Sequence, residues 1–448
     1  MSKNIVMVGA GVANVNAATK LIDGGYNGKI TIIDMGKNPY DRKYSEVMEG
    51  FLGAGGWSDG KLTYHTSIGG QLSKYCGEEK AMDLFDQVIA NFKRFHPKPE
   101  EVQCSNPTAE PDFIKPYFGL RLFPVWHVGT DYLHEIGKNW YDYLVDGGVE
   151  FYWESKVTDI IFEHNKLEIG NKMDGHFLYY DTLIFGVGKS GIDFGKQLAD
   201  DYELPTEPKP VQIGVRFEAP QEHFQKLIDI SYDFKLYRKF EEGVSLRSFC
   251  TNNNAAYVAV EETYGDHSYN GHAKKDEAFR NNMTNFGILM EIPGIEEPFA
   301  WSRELVSKVN KEGTGLYYSP TRTPSTTSEG EDVSAVSITS EQMEEVRSAF
   351  HGYYSYIDDF IEDMKKVFPT LGDDWGVYIP EVKYLSPEPL VNYNDLSLTK
   401  FPNVHFVGDA LSARGITVSG AQGIYVIESL LGDMKEDDYI DTGDLISF

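Results

Sequence analysis

Ile5-Val6-Met7-Val8-Gly9-Ala10-Gly11-Val12-Ala13-Asn14 runs four apolar residues into a Gly-x-Gly turn and the start of a helix. An all-apolar strand of this kind suits a parallel sheet covered on both faces. The glycines permit a tight turn and close backbone approach. The helix behind them offers free N–H groups and positive potential to a pyrophosphate. Val12 to Asp23 reads as that helix, ended by Gly24-Gly25, and Lys29 to Asp34 reads as the next strand. Asp34 stands twenty residues beyond Asn14, where a carboxylate takes the ribose hydroxyls of a dinucleotide. Asn14 occupies a position where the motif prefers glycine for close helix–strand packing. It must widen that approach or turn its amide to a phosphate.

Two later strands complete the pattern. Thr182-Leu183-Ile184-Phe185-Gly186-Val187-Gly188 returns the chain beside the first strand, with Gly186 and Gly188 near the adenosine end. Val404-His405-Phe406-Val407-Gly408-Asp409-Ala410 ends on Gly-Asp before a Gly-rich helix. NAD does not need that second element. A flavin does, because its ribityl chain and ring must also be held, so the pair predicts FAD. Between them, Phe51-Leu52-Gly53-Ala54-Gly55-Gly56-Trp57-Ser58-Asp59-Gly60-Lys61-Leu62 is crowded with glycine and suits backbone approach to a ligand.

The fold class expected is α/β: a Rossmann-like FAD-binding domain with an inserted mixed α+β substrate domain. Residues 1–211 form the first part of the cofactor domain, 212–375 the substrate domain, 376–434 the returning part, and 435–448 an acidic tail. Val211 to Glu218 alternates with period two, as a half-solvated antiparallel strand does. Ala255 to Val260, Phe286 to Glu291 and Val333 to Ile338 look alike, and Phe350 to Val367 is an amphipathic helix. Thr130-Asp131 is expected to cap a helix from Tyr132 to Val145.

The 448 residues carry a formal charge of −28, which opposes general binding to nucleic acid or an anionic membrane. No apolar run approaches the ~20 residues of a membrane span, and Met-Ser-Lys-Asn leads straight into a strand without a secretory signal. Three scattered cysteines, Cys76, Cys104 and Cys250, disfavour disulfides and a zinc site. These features predict a cytoplasmic protein with no metal.

Gly55-Gly56-Trp57-Ser58-Asp59-Gly60-Lys61-Leu62 is joined by His127-Val128-Gly129-Thr130-Asp131, Gly188-Lys189-Ser190-Gly191, Pro208 to Arg216, Phe249-Cys250, Asn285-Phe286 and Gly408-Asp409. In this order the segments resemble FAD-dependent dehydrogenases of the glutathione-reductase-like flavoprotein superfamily, in a branch with a Gly-Gly-x-x-Ser-Asp-Gly-Lys-Leu signature. The resemblance implies that Gly9, Gly11 and Asn14 border the pyrophosphate and that Asp34 binds the ribose. It places Gly55, Gly56, Ser58, Asp59 and Lys61 along the flavin, Val157 at the adenine, and Gly188 near the adenosine. Asp409, after Gly408, would hold the ribityl chain or pyrophosphate. Gly415, Ile416, Gly420 and Gln422 would set a helix N-terminus at the pyrimidine edge, where reduced flavin carries negative charge.

Lys61, His127 and Arg216 are the candidate catalytic groups: Lys61 beside the flavin, His127 as a base, Arg216 as a clamp on a substrate carboxylate. The plainer readings are a phosphate contact, a structural histidine and an ordinary salt bridge. His65 and Tyr257 belong to the same polar set, while Tyr257, His267 and His272 fall in what reads as a mobile surface loop. Lys235, Arg238, Lys239 and Arg247 form the conspicuous basic cluster. The expected activity is FAD-dependent removal of a hydride from a C–H bond of a small-molecule or modified-nucleotide substrate, with an amine a candidate. The alternatives are a flavin-dependent lyase cleaving an amino-acid adduct on a thymine base in phage DNA hypermodification, and a flavin-binding sensor or structural protein without turnover.

Overall fold

The computed structural model describes residues 3–43, 46–170, 176–207, 209–327, 330–385 and 387–440. In it the opening stretch becomes strand Asn4–Val8, a turn and helix Val12–Asp23. Five parallel strands line up as Val404–Phe406, Thr182–Phe185, Asn4–Val8, Lys29–Ile33 and Glu150–Tyr152. The chain leaves Asn4–Val8 to one side first and returns later to the other. A crevice therefore opens at the C-terminal end of that strand, as at the switch point of a Rossmann-like sheet.

Helix Ile416–Ile440 crosses helix Val12–Asp23 closely. A Cβ at Gly423 would lie 2.0 Å from the Ala13 carbonyl oxygen, so glycine is required at that crossing. Helix Glu78–Phe95 adds to what the sequence predicted, although Leu84, Phe85, Val88, Ile89, Phe92 and Phe95 recur at helical spacing and are buried. The helix expected after Thr130-Asp131 spans Thr130–Asp146, but neither side chain caps it. Thr130 Oγ1 donates to the Ser58 carbonyl, and Asp131 accepts from the backbone N–H groups of Lys275 and Asp276. Both side chains hold other loops to the helix start instead.

A second, eight-stranded sheet runs Val336–Ser337, Leu316–Tyr318, Gly376–Lys383, Val211–Pro220, Met283–Ile292, Ser245–Asn252, Phe234–Lys239 and Gly119–Leu122. It draws one strand from before residue 211 and another from beyond 375. One face carries Ile213, Val215, Phe217, Phe286, Ile288 and Met290 into a core closed by helices Pro298–Val309 and Tyr354–Val367. The other face is polar. Val211–Pro220 is central and covered, not half-solvated: Arg216 and Glu218 are 0% and 1% exposed. Only Val336–Ser337 of the expected 333–338 strand pairs, and Phe350 lies in the turn between helices Ser340–Ala349 and Tyr354–Val367.

The segment expected to be a mobile loop is an ordered hairpin, Ala256–Thr263 with Asp266–Ala273. Tyr264 and Gly265 both have positive φ at its two-residue turn, the geometry that matches strand twist. Tyr269 is buried, and Tyr257 Oη donates to the Phe279 carbonyl. The helix reaches Ile440, so 435–440 of the expected tail is helical, while 441–448 and Pro208 lie outside the described residues.

Glu218 shows what covering a polar row costs. It receives the Ser325 hydroxyl, 2.7 and 2.9 Å from its two oxygens, and burial pushes its pKa up to about 7. The neutral acid is therefore the form the fold favours. Stability from this site is complete below the ordinary carboxylate pKa and declines as pH rises towards 7. Glu218→Gln is expected to change little at pH 5 and to stabilise by about 2–3 kcal/mol at pH 8, read from urea midpoints. Equal effects at both pH values would show an ionised Glu218.

Candidate cofactor and substrate site

The crevice begins at Gly9. Its φ is +92°, its N–H donates to the Ile33 carbonyl at 2.7 Å, and a Cβ there would lie 2.5 Å from the Gly186 carbonyl oxygen. Gly11 precedes helix Val12–Asp23 and no side chain caps that helix. Its first N–H groups thus have no intrahelical acceptor. Asn14 does not turn its amide outward to a phosphate. Its amide donates inward to the Val8 and Gly9 carbonyls at 3.0 and 2.7 Å, bracing the turn against Gly186.

Asp34 also works on backbone. It accepts the N–H groups of Ala10, Gly36 and Gly50 at 2.7–2.8 Å and is 9% exposed. The carboxylate thereby fixes the turn, with little of it left open to a ribose. Val157 lies just beyond the point where Ser155 N–H donates to the Asp34 carbonyl. Buried Arg42 binds four carbonyls, of Glu46, Phe51, Val47 and Gly53, and so shapes the glycine loop.

That loop makes a short helical turn, Gly53–Trp57, and then strand Lys61–Thr63. Gly55 packs on Val12, where a Cβ would come within 2.5 Å of Cγ2, and Gly56 is buried against Leu52. Ser58 Oγ donates to the Gly55 carbonyl and accepts from Gly60 N–H, so its hydroxyl serves the loop.

On the opposite wall Gly408 has φ +67°, and Asp409 pairs with Arg414 at 2.8 Å across from exposed Gly188. Gly415 and Ile416 stand at the start of the long helix, with the Gly69 backbone against Gly415. Gln422 does not join them. It is buried, its carbonyl accepts Gly408 N–H, and its amide donates to the Leu411 carbonyl. It is a brace behind the Gly408 turn. Gly420 likewise packs against Asn16 and Val88.

The polar face of the larger sheet meets this crevice at Lys61. Its ammonium donates to the Thr251 carbonyl and pairs with Asp59 at 2.7 Å and Asp233 at 3.7 Å. Cys250, at φ +51°, donates its thiol to Asp59 at 3.2 Å. Despite burial, Lys61 holds the Asp59 carboxyl down to about 2, and Asp59 holds the lysine well above its ordinary value. His127 pairs with Lys61 across the small sheet, and its Nε2 lies 2.9 Å from the Asp59 carbonyl. Burial lowers its pKa to about 4. It is neutral at pH 7, with Nε2 protonated by its contact and Nδ1 the basic nitrogen.

Arg216 is not an open clamp. It is fully buried and 3.4 Å from Glu381, with further contacts to the Cys250 carbonyl and Asn270. His65 accepts Ser67 N–H on the facing loop. Lys189, missed in the sequence, crosses from the Gly188 turn to Glu261 of the hairpin at 2.8 Å. Its placement inside Gly188-Lys189-Ser190-Gly191 was the available signal. The basic cluster divides: Arg238 pairs with Asp363 on the helical face, while Lys235 and Arg247 share the polar face.

Among the described residues no cluster of His, Cys, Asp or Glu could hold a metal ion, and no helix is long and apolar enough to cross a membrane. A dinucleotide fits the crevice by two observations. The first helix is uncapped, and Thr417 Oγ1 is buried without a partner at the opposite helix start.

Architecture and crevice place the chain in the class of α/β proteins built on a Rossmann-like parallel sheet with a second, larger sheet beside it. No protein-family model matches it. An uncharacterized protein of Clostridium beijerinckii is 27% identical over 217 residues, 48% of this chain and 36% of that protein, so the match spans about a third of the relative's length. Similar solved structures include a flavoprotein/dehydrogenase from Cytophaga hutchinsonii, with TM-score 0.43, 13% identity, and 97% of this chain and 79% of that one covered. Glycine oxidase from Bacillus cereus gives 0.43 and 11%, over 99% and 100% of the two chains. The glycerol-3-phosphate dehydrogenase of Bacillus halodurans, complexed with FAD, gives 0.40 and 11%, over 97% and 65%.

Proposed function

We propose that the chain is an FAD-dependent oxidoreductase that removes a hydride from a C–H bond of a small substrate, with an amine-bearing carbon the finer reading. The single observation behind it is the crevice at the switch point, where the tight Gly9 turn and uncapped helix face Gly188 and Asp409. Gly9 and Gly11 would admit the pyrophosphate to backbone N–H groups, Val157 would border the adenine, and Asp409 with Arg414 would meet the ribityl end. FAD, when bound, supplies the two-electron acceptor.

The chain's own residues provide the rest. The loop Gly55–Lys61 and the start of helix Ile416–Ile440 bound the space between the two sheets. Lys61 keeps a fixed positive charge there while holding Thr251, so its part is to position the Ser245–Asn252 strand as well as to set the local field. His127 Nδ1 is a neutral acceptor for a proton leaving the substrate. An amine oxidised in this site would give an imine, whose hydrolysis breaks the C–N bond and is visible in the products.

Purified protein is expected to show an oxidised-flavin absorbance after FAD addition. Anaerobic bleaching of that band by a screen of amines and other C–H donors would identify the substrate. A protein that stays colourless with excess FAD would overturn the reading; bound flavin that no donor bleaches would favour a sensor.

A further inference from the structure

We propose that the cation cluster on the polar face of the eight-stranded sheet binds a carboxylate or phosphate group of an anionic small substrate through Arg121, Arg247 and Lys383. Naming the substrate class rests on the flavoenzyme reading above; anion binding itself does not.

Register sets the three cations on one face of the sheet, with Arg121 two strands from Arg247 and Lys383 three strands to its other side. Arg247 reaches across to Gln212, the cross-strand neighbour of Lys383. Arg121 pairs with Lys235, and Tyr237 pairs with Arg247 on the next strand. Arg247 then aligns with Leu289, Leu289 with Gly214, and Gly214 with Glu381, two residues from Lys383 on the same side. The opposite face holds Leu236, Leu246 and Ile213 in the core, so these polar residues share one surface.

Most countercharges are engaged elsewhere: Asp59 and Asp233 lie with Lys61, Asp409 with Arg414, and Glu381 with Arg216. Glu291 stays near Arg247 without pairing directly, the two bridged by Gln212, which donates to Glu291 at 3.1 Å and accepts from Arg247 at 3.2 Å. Lys235 retains only a 3.9 Å contact to Asp233. Among the described residues, Arg121, Arg247 and Lys383 have no carboxylate within 4.0 Å. Arg121 donates to Ser67 and Arg247 to Gln212, both neutral, and Lys383 lies over the Phe249 ring.

Burial and the nearby Arg247 guanidinium push Lys383 down to about 7. Arg247 is lowered by burial, with Arg121 adding to the effect and Glu291 opposing it. Yet Arg121 and Arg247 are solvent-exposed. A chain with net charge −28 keeps these cations without partners on this face, and an oxyanion would satisfy them with charge-assisted hydrogen bonds.

The test is calorimetric titration of the full-length, FAD-saturated protein with inorganic phosphate and with succinate at low ionic strength. One of them is expected to bind, and Arg247→Gln and Arg121→Gln are each expected to weaken it about tenfold or more. FAD stoichiometry and melting temperature should stay unchanged. Lys226→Gln, on the other side of the sheet, should bind like wild type. No binding of either anion, or binding indifferent to the Arg121→Gln/Arg247→Gln pair, overturns the proposal. Competition between phosphate and FAD would overturn the substrate assignment by making the cation cluster a cofactor phosphate site. Tight binding of a DNA duplex through the same arginines, with neither small anion bound, would overturn the small-molecule class. Anion binding by a protein that takes up no FAD sinks the flavoenzyme reading and leaves the anion site standing.

Discussion

Gly9→Ala is expected to abolish FAD uptake and to destabilise the chain by about 2–4 kcal/mol. Two effects combine. Alanine is disfavoured at φ +92°, and its Cβ would lie 2.5 Å from the Gly186 carbonyl oxygen, a backbone atom held by the neighbouring strand. Gly25→Ala separates them, because Gly25 has φ +71° with nothing within 4 Å of the new atom. That control should lose only about 1 kcal/mol and keep its flavin. Urea midpoints and FAD absorbance measure both. Equal losses in the two variants would mean that the Gly186 contact gives way freely.

Lys61→Met should cost about 3–5 kcal/mol, because it leaves Asp59 buried without its cation. Lys61 and Asp59 are 7% and 6% exposed. The pH dependence follows from Asp59, held down to about 2 in the fold against an ordinary 3.8. Its stabilising part is present at neutral pH and is lost as pH falls through about 2. In Lys61→Met the carboxyl instead protonates readily, so the deficit against wild type should narrow between pH 7 and pH 4. Denaturant midpoints at the two values decide it. Adding Asp59→Asn to Lys61→Met should recover part of the loss. A deficit constant with pH would mean that Asp59 finds another cation.

The Rossmann-like half was legible because its signals are local. Four apolar residues, two glycines and a helical stretch lie within one short segment, and the structure keeps them as strand Asn4–Val8 and helix Val12–Asp23. Period-two alternation also marked Val211–Pro220 as a strand. It did not reveal that both faces are covered, since alternation cannot distinguish water from a buried polar layer. Side-chain direction was equally hidden. Asp34 and Gln422 were placed by position as ligand contacts, but each is held by backbone groups that folding brings to it. The basic run 235–247 was visible as composition. Its division between faces depends on register with Gly119–Leu122 and Met283–Ile292, which no local pattern encodes.

Lys189 gives the crevice a mechanical link to the rest of the molecule. It follows Gly188 directly, and its ammonium is anchored in the hairpin by Glu261, which Asn270 also holds. One buried ion pair thus joins the Gly188 turn on the crevice wall to the hairpin lying over the polar sheet face. Cutting the tether with Lys189→Met would leave buried Glu261 with Asn270 but without its cation, so the cost would fall on the hairpin as well as on the crevice wall.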